Sequence, residues 1–145
     1  MPKSSLLLFR FLLLALMFGA ALGCGPKIEA PESTEMRSNM RSLAVAYGAY
    51  TRDNRGRPPK DEKAFRKWLD KQGPDYPQIL KVESIDEIFI SSRDNEPYVI
   101  AYGKAKRIVA YEAVGVEGKR FVADDLGVVE ELDEATFDER VPDAE

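Results

Sequence analysis

The chain of 145 residues is 44% apolar and 32% charged, carries a net charge of −4, and contains one cysteine and no histidine. Length and composition are those of one folded domain and exclude a disordered or membrane-embedded chain. The missing histidine removes the commonest general base, metal ligand and near-neutral switch, and the single Cys24 can form neither an intramolecular disulfide nor a cysteine zinc site.

Charge is spread unevenly. From Arg37 to Lys71 ten bases stand against four acids, and from Asp124 to Glu145 ten acids stand against Arg140 alone. A chain so polarised can pair its own ends or attract partners by either pole.

Lys3 and Arg10 make the start positive, Phe11 to Leu22 is an unbroken uncharged apolar run, and small residues gather at its end. These are the parts of a secretory signal. A spanning helix needs about 20 apolar residues, and Arg10 interrupts the longer count back to Leu6. Ala20-Ala21-Leu22-Gly23-Cys24 resembles the lipobox of bacterial lipoproteins, with Ala21 where leucine is most typical. The resemblance implies cleavage before Cys24, a thioether-linked diacylglycerol on its sulfur and acylation of the freed amine. Each buried methylene contributes ~0.8 kcal/mol, so two or three acyl chains anchor stably where one does not. Gly25 occupies the position where aspartate commonly marks inner-membrane retention, so the resemblance implies an exported protein held in the outer membrane and facing the periplasm. A plain secretory signal and an uncleaved anchor helix are the alternatives.

Residues 1–23 therefore read as a lipoprotein signal peptide, 24–32 as a polar tether with Pro26 and Pro31, and 33–145 as the globular domain. Ser33 or Thr34 can cap a helix, with Glu35 in its first turn. Met36, Met40, Leu43, Tyr47 and Tyr50 follow at alternating spacings of four and three, which is one apolar helical stripe. Asn54, Gly56 and Pro58-Pro59 end it near Asp53. The stripe reads as core, with a partner helix as the other possible occupant.

The segment from Arg37 to Pro59 resembles the region after the membrane helix in type II pseudopilin-like proteins abundant in planctomycete bacteria. The likeness rests on the Arg37-Ser38-Asn39-Met40 start, the Tyr47-Gly48-Ala49-Tyr50 pair and the Gly56-Arg57-Pro58-Pro59 turn. Ser91-Ser92-Arg93-Asp94 with its following run to Ile100, and Val109-Ala110-Tyr111-Glu112, are similar to further pieces of those proteins. The resemblance implies a pilin-like head: a long N-terminal helix packed on an antiparallel β-meander. Two features depart from it. The Gly-Phe-type peptidase site ahead of some 20 stacking apolar residues is missing, and Ala123-Asp124-Asp125-Leu126-Gly127-Val128 replaces the usual late hairpin.

Asp61 is placed to cap a second helix running to about Gln72, with Phe65, Trp68 and Leu69 inward and Gly73-Pro74 as its stop. Short β-rich runs then occupy Ile88–Ser91, Tyr98–Tyr102, Ile108–Glu112, Lys119–Ala123 and Val128–Leu132, separated by hairpin-length turns. Asp133 opens a terminal helix in which Phe137 docks, and Arg140 to Glu145 are expected to fray. The fold class is α+β.

Chemistry is sparse. No nucleophile elbow, no nucleophile–histidine pair and no phosphate-cradling glycine loop is present. Asp124-Asp125 and Glu130-Glu131 are the carboxylate pairs that could serve acid–base work or calcium, but neighbours alternate across a strand and the turn lacks the ligand spacing of a calcium loop. The basic turn carrying Arg52, Arg55, Arg57 and Lys60 is the sharpest surface feature, suited to lipid phosphates or an anionic polymer. It reads equally as a solvated loop paired with the acidic tail. Exposed tyrosines offered to a glycan are a third possibility. The sequence as a whole reads as a non-enzymatic envelope lipoprotein, a structural or interaction module with no cofactor. Its partners would be the membrane, through lipid on Cys24, and an unidentified envelope protein or polymer, but not nucleic acid. A minor pseudopilin of a secretion machine, a carboxylate-only enzyme and a glycan-binding module are the alternatives.

Overall fold

The computed structural model of the protein describes residues 31–142 and 144, with side chains from Asn39 onward. The leader and Cys24 lie outside the described residues. Helix α1 spans Pro31–Asp53, α2 Glu62–Leu69 with a 3-10 turn at Asp70–Gln72, α3 Tyr76–Leu80, and a second 3-10 segment Ile85–Phe89. Four strands follow, β1 Tyr98–Ile100, β2 Ile108–Glu112, β3 Lys119–Asp124 and β4 Val129–Asp133, and then α4, Glu134–Arg140. The sheet is an antiparallel meander in the order β1-β2-β3-β4. The α+β class and the antiparallel pairing expected from the sequence are both present.

Several boundaries differ. The helix already includes Pro31 and Glu32, which the sequence reading assigned to the tether; proline's fixed φ suits a first helical turn. Ile88–Ser91 is not a strand. Ser84 and Glu87 form a reciprocal capping box that winds Ile85–Phe89 into 3-10 helix, and burial of both Ile88 and Phe89 outweighs their β preference. Only Ile90 makes a β-type bridge, an isolated one to Pro97 just before β1. The tail is tied down further than expected: Val141 is buried and donates its N–H to the Phe137 carbonyl at 2.8 Å.

Registration gives the sheet two apolar faces. Tyr98, Ala110, Phe121 and Ala123 share a core with Met40, Leu43, Ala44 and Tyr47 of α1 and with Phe65, Ile88 and Phe89. On the other face Val122 and Leu132 pack with Phe137 and Val141. An irregularity between Ile108 and Ala110 lets Val109 as well as Ala110 join the first core. Phe65 anchors an aromatic cluster, edge-on to Tyr47, Tyr50 and Phe89 and stacked on Trp68. Such pairs add about 0.5–1.5 kcal/mol each beyond burial. Ser42 ties α1 to α3 by donating to the Leu80 carbonyl at 2.6 Å. Asp61 and Asp133 cap α2 and α4 as their positions suggest, accepting from the N–H groups of Ala64 and Thr136.

Candidate functional site

The end of α1 builds the basic turn. The Asn54 side chain donates to the Tyr50 carbonyl at 2.8 Å, and Gly56 N–H closes on the Thr51 carbonyl at 2.8 Å. Arg55 and Gly56 both take left-handed conformations, φ 60 and 79, and turn the chain away from the helix axis. A shallow depression of about 360 Å³ results, lined by Arg55, Arg57 and Lys60 together with Tyr50, Asp53 and Asn54. Three of the four expected cations are thus brought together. Arg52 is exposed in the last helical turn, outside the lining, where its charge complements the negative end of the helix dipole. The pair Lys60–Asp61, at 3.8 Å with side chains 80% and 51% exposed, contributes little.

The sequence reading missed the neighbour of this turn. Gly103 N–H donates to the Pro59 carbonyl at 2.8 Å, which seats the β1–β2 loop with Lys104, Lys106 and Arg107 beside the basic turn. The signal was present as Lys104-Ala105-Lys106-Arg107, but residues so distant in sequence join only through the fold. Past this loop opens a groove of about 610 Å³ whose lining combines these three cations and Arg140 with apolar residues. Among the described residues the linings of the two depressions carry seven cations against the single carboxylate Asp53, which makes this surface basic.

The acidic strand does not neutralise that turn. Glu130 pairs with Arg140, Glu131 with Arg93 and Lys119, and Glu134 with Arg120. Three acids of the tail expected to pair with the basic turn, Glu130, Glu131 and Glu134, are engaged by other arginines.

Three of the four candidate carboxylates, Asp124, Glu130 and Glu131, are spent on structure, and Asp125 is exposed. Asp124 accepts from the N–H groups of Leu126 and Val128 at 3.0 and 2.9 Å, which shapes the β3–β4 turn. Glu130 and Glu131 are adjacent strand residues committed to different arginines. Among the described residues the one buried carboxylate, Glu112, accepts from Ser91 Oγ at 3.0 Å, from Phe121 N–H at 2.9 Å and from Arg93, so both of its oxygens are engaged within the domain. Among the described residues no group of three or more candidate ligands is placed to hold a metal ion.

None of the six tyrosines is exposed. Tyr47 donates its hydroxyl to the Ala101 carbonyl at 2.5 Å, and its pKa is pushed up to about 12 by burial and then by Asp125. Tyr98, Tyr102, Tyr76 and Tyr111 are also shifted upward, with burial the largest cause in each. Tyr50, Tyr76, Tyr102 and Tyr111 are half-buried, and Tyr47 and Tyr98 are buried. Among the described residues, no helix is long and apolar enough to cross a membrane. Comparison with protein-family models, with curated proteins and with solved structures finds no match to this chain.

Proposed function

We propose that the protein is a non-enzymatic, lipid-anchored lipoprotein of the bacterial envelope whose pilin-like head serves as a structural or interaction module. The observation that carries this reading is the sequence of the leader. A positive start and an apolar run end in Leu22-Gly23 immediately before the chain's only cysteine. A single unlipidated thiol in an oxidising compartment would be a liability. The head reading is supported by α1 sharing one core with the antiparallel sheet, and by Tyr47 and Tyr50 of that helix meeting Phe65 of α2 edge-on.

In this arrangement the lipid does the holding that a spanning helix does in pseudopilins, and the head presents its basic end. Arg55, Arg57 and Lys60, supplemented by Lys104 and Arg107, form the surface through which the module contacts an anionic polymer or membrane of the envelope. Mass spectrometry of the mature protein is expected to find a diacylglyceryl-modified, acylated N-terminus at Cys24. Cys24→Ala is expected to leave the head folded and release it from membranes. An unmodified N-terminus elsewhere, or a Cys24→Ala chain that stays membrane-bound after leader cleavage, refutes the anchor.

A further inference from the structure

The back face of the sheet is only partly covered. Val99 pairs in register with Tyr111, and Tyr111 with Val122, so the three lie across one face. Helix α4 covers Val122 with Phe137 and reaches Tyr111, whose ring meets that of Phe137 at 5.3 Å. Beyond Tyr111, over β1, lies the groove of about 610 Å³. Of its apolar residues, Val99, Ile108, Tyr111 and Val141 are half-buried or buried and therefore recessed, and Pro142 is exposed. Lys104 and Arg107 stand exposed at its margin, as does Arg140, which Glu130 holds. Among the described residues no carboxylate lines it.

We propose that this groove binds a small amphipathic anion of the long-chain carboxylate class. The apolar part would lie along Val99, Ile108 and Tyr111, and the carboxylate would meet Lys104 and Arg107. The volume falls within the usual small-ligand range of about 300–1,000 Å³. Three physical points select this chemistry. Recessed apolar surface is closed to a flat protein face, which would touch only the margin, but is open to a narrow chain. The cations disfavour a neutral lipid as the preferred occupant. The apolar lining disfavours a fully hydrated inorganic anion, whose water the groove does not replace with enough donors. The cations that meet the head group, Lys104 and Arg107, come from the β1–β2 loop, while Arg140 at the end of α4 is held by Glu130. Tyr111 adds a hydroxyl whose pKa is raised by burial and opposed by Lys106 and Arg120.

The test uses the full chain in membrane vesicles and dodecanoate carrying a photoreactive diazirine, with adducts mapped by peptide mass spectrometry. Adducts are expected within residues 99–102 and 108–111. Lys104→Glu with Arg107→Glu should cut their yield at least about tenfold, the loss expected when charged hydrogen bonds become repulsions. The matching diazirine alcohol should label these positions far less. Unlabelled dodecanoate should compete and inorganic phosphate should not. Should the charge-reversed chain fail to fold, Lys104→Gln with Arg107→Gln gives the same comparison with a smaller loss. Labelling that is scattered over the surface, unchanged by both sets of substitutions, equal for the alcohol, or displaced by phosphate overturns the proposal.

Discussion

Arg93 and Glu112 form an ion pair closed inside the domain, with the Glu112 side chain 1% exposed and that of Arg93 12%. Arg93 lies over the Phe121 ring, reaches Glu131 and donates to the Lys119 carbonyl at 2.8 Å, so one guanidinium ties the turn before β1 to β2, β3 and β4. The cost of desolvating two charges makes such a pair a weak source of net stability, yet removal of one partner strands the other. Arg93→Ala or Glu112→Ala should therefore each lower unfolding stability by about 3–5 kcal/mol, read from urea midpoints. The apolar double substitution Arg93→Met with Glu112→Leu should cost much less than the sum of the two. Additive losses would mean that the two residues do not act as a pair.

Gly48 marks where α1 meets the β3–β4 turn. A Cβ there would stand 2.9 Å from the Asp125 backbone oxygen, closer than side chains tolerate. Alanine in a helix ordinarily gains about 1 kcal/mol over glycine. Here Gly48→Ala should instead destabilise, by about 1–3 kcal/mol, because the turn must shift. A rise in the urea midpoint would show that the helix and turn are not in this contact.

Alkaline titration should separate folded from unfolded chains. Five of the six tyrosines have pKa values raised above their ordinary 10.0, with burial the largest cause, and Tyr47 reaches about 12. A folded-state pKa above the unfolded one means that the folded chain keeps its proton while the unfolded chain has lost it. Their stabilising contribution is intact below pH 10.0 and declines as pH rises toward the folded values. Tyrosinate absorbance should thus lag behind that of the urea-unfolded chain and then jump on unfolding. Tyr47→Phe should soften the alkaline loss of stability. Coincident folded and unfolded titration curves would contradict the burial of these hydroxyls.

The basic end makes a prediction about binding rather than stability. Arg55→Glu with Arg57→Glu should weaken retention on a polyanion matrix, and the salt slope should fall by roughly one for each contact removed. The urea midpoint should move by no more than about 0.5 kcal/mol in equivalent stability, because both side chains are exposed. Arg52→Glu, outside the depression, should affect retention less. Equal effects at all three positions would indicate a diffuse field in place of a site.

The acidic N-cap of α4 has its own pH signature. Asp133 accepts from Thr136 N–H at 2.8 Å, and that hydrogen bond holds its carboxyl below the ordinary 3.8. Its contribution is present above the unfolded value and is lost as pH falls through the folded one. Asp133→Asn retains a capping oxygen without the titration, so the stability difference between the two chains should shrink on acidification. A difference that is constant with pH would deny the cap its charge.

Local rules made much of this fold legible. The alternating four-three stripe of α1, the capping aspartates Asp61 and Asp133, and the alternation of the late runs act within a few residues, where propensity and capping decide the outcome. Ile88–Ser91 was misread because a short apolar run suits a strand or a buried 3-10 turn equally. The Ser84–Glu87 capping box and the docking of Phe89, over which Arg66 stacks at 3.9 Å, resolved it toward the turn.

The sequence by itself determined the compositional exclusions, the basic turn and the apolar run that ends at Leu22-Gly23-Cys24, because each depends on residue identity and short spacing. Tertiary structure alone decided which charges meet. Arg93 finds Glu112 nineteen residues away, Lys104 and Arg107 join the turn at Arg55 through one Gly103–Pro59 hydrogen bond, and the acidic strand is claimed by other arginines. Coulombic pairing and burial depend on distance in space, and that distance exists only once α1 and the sheet have closed on their shared core.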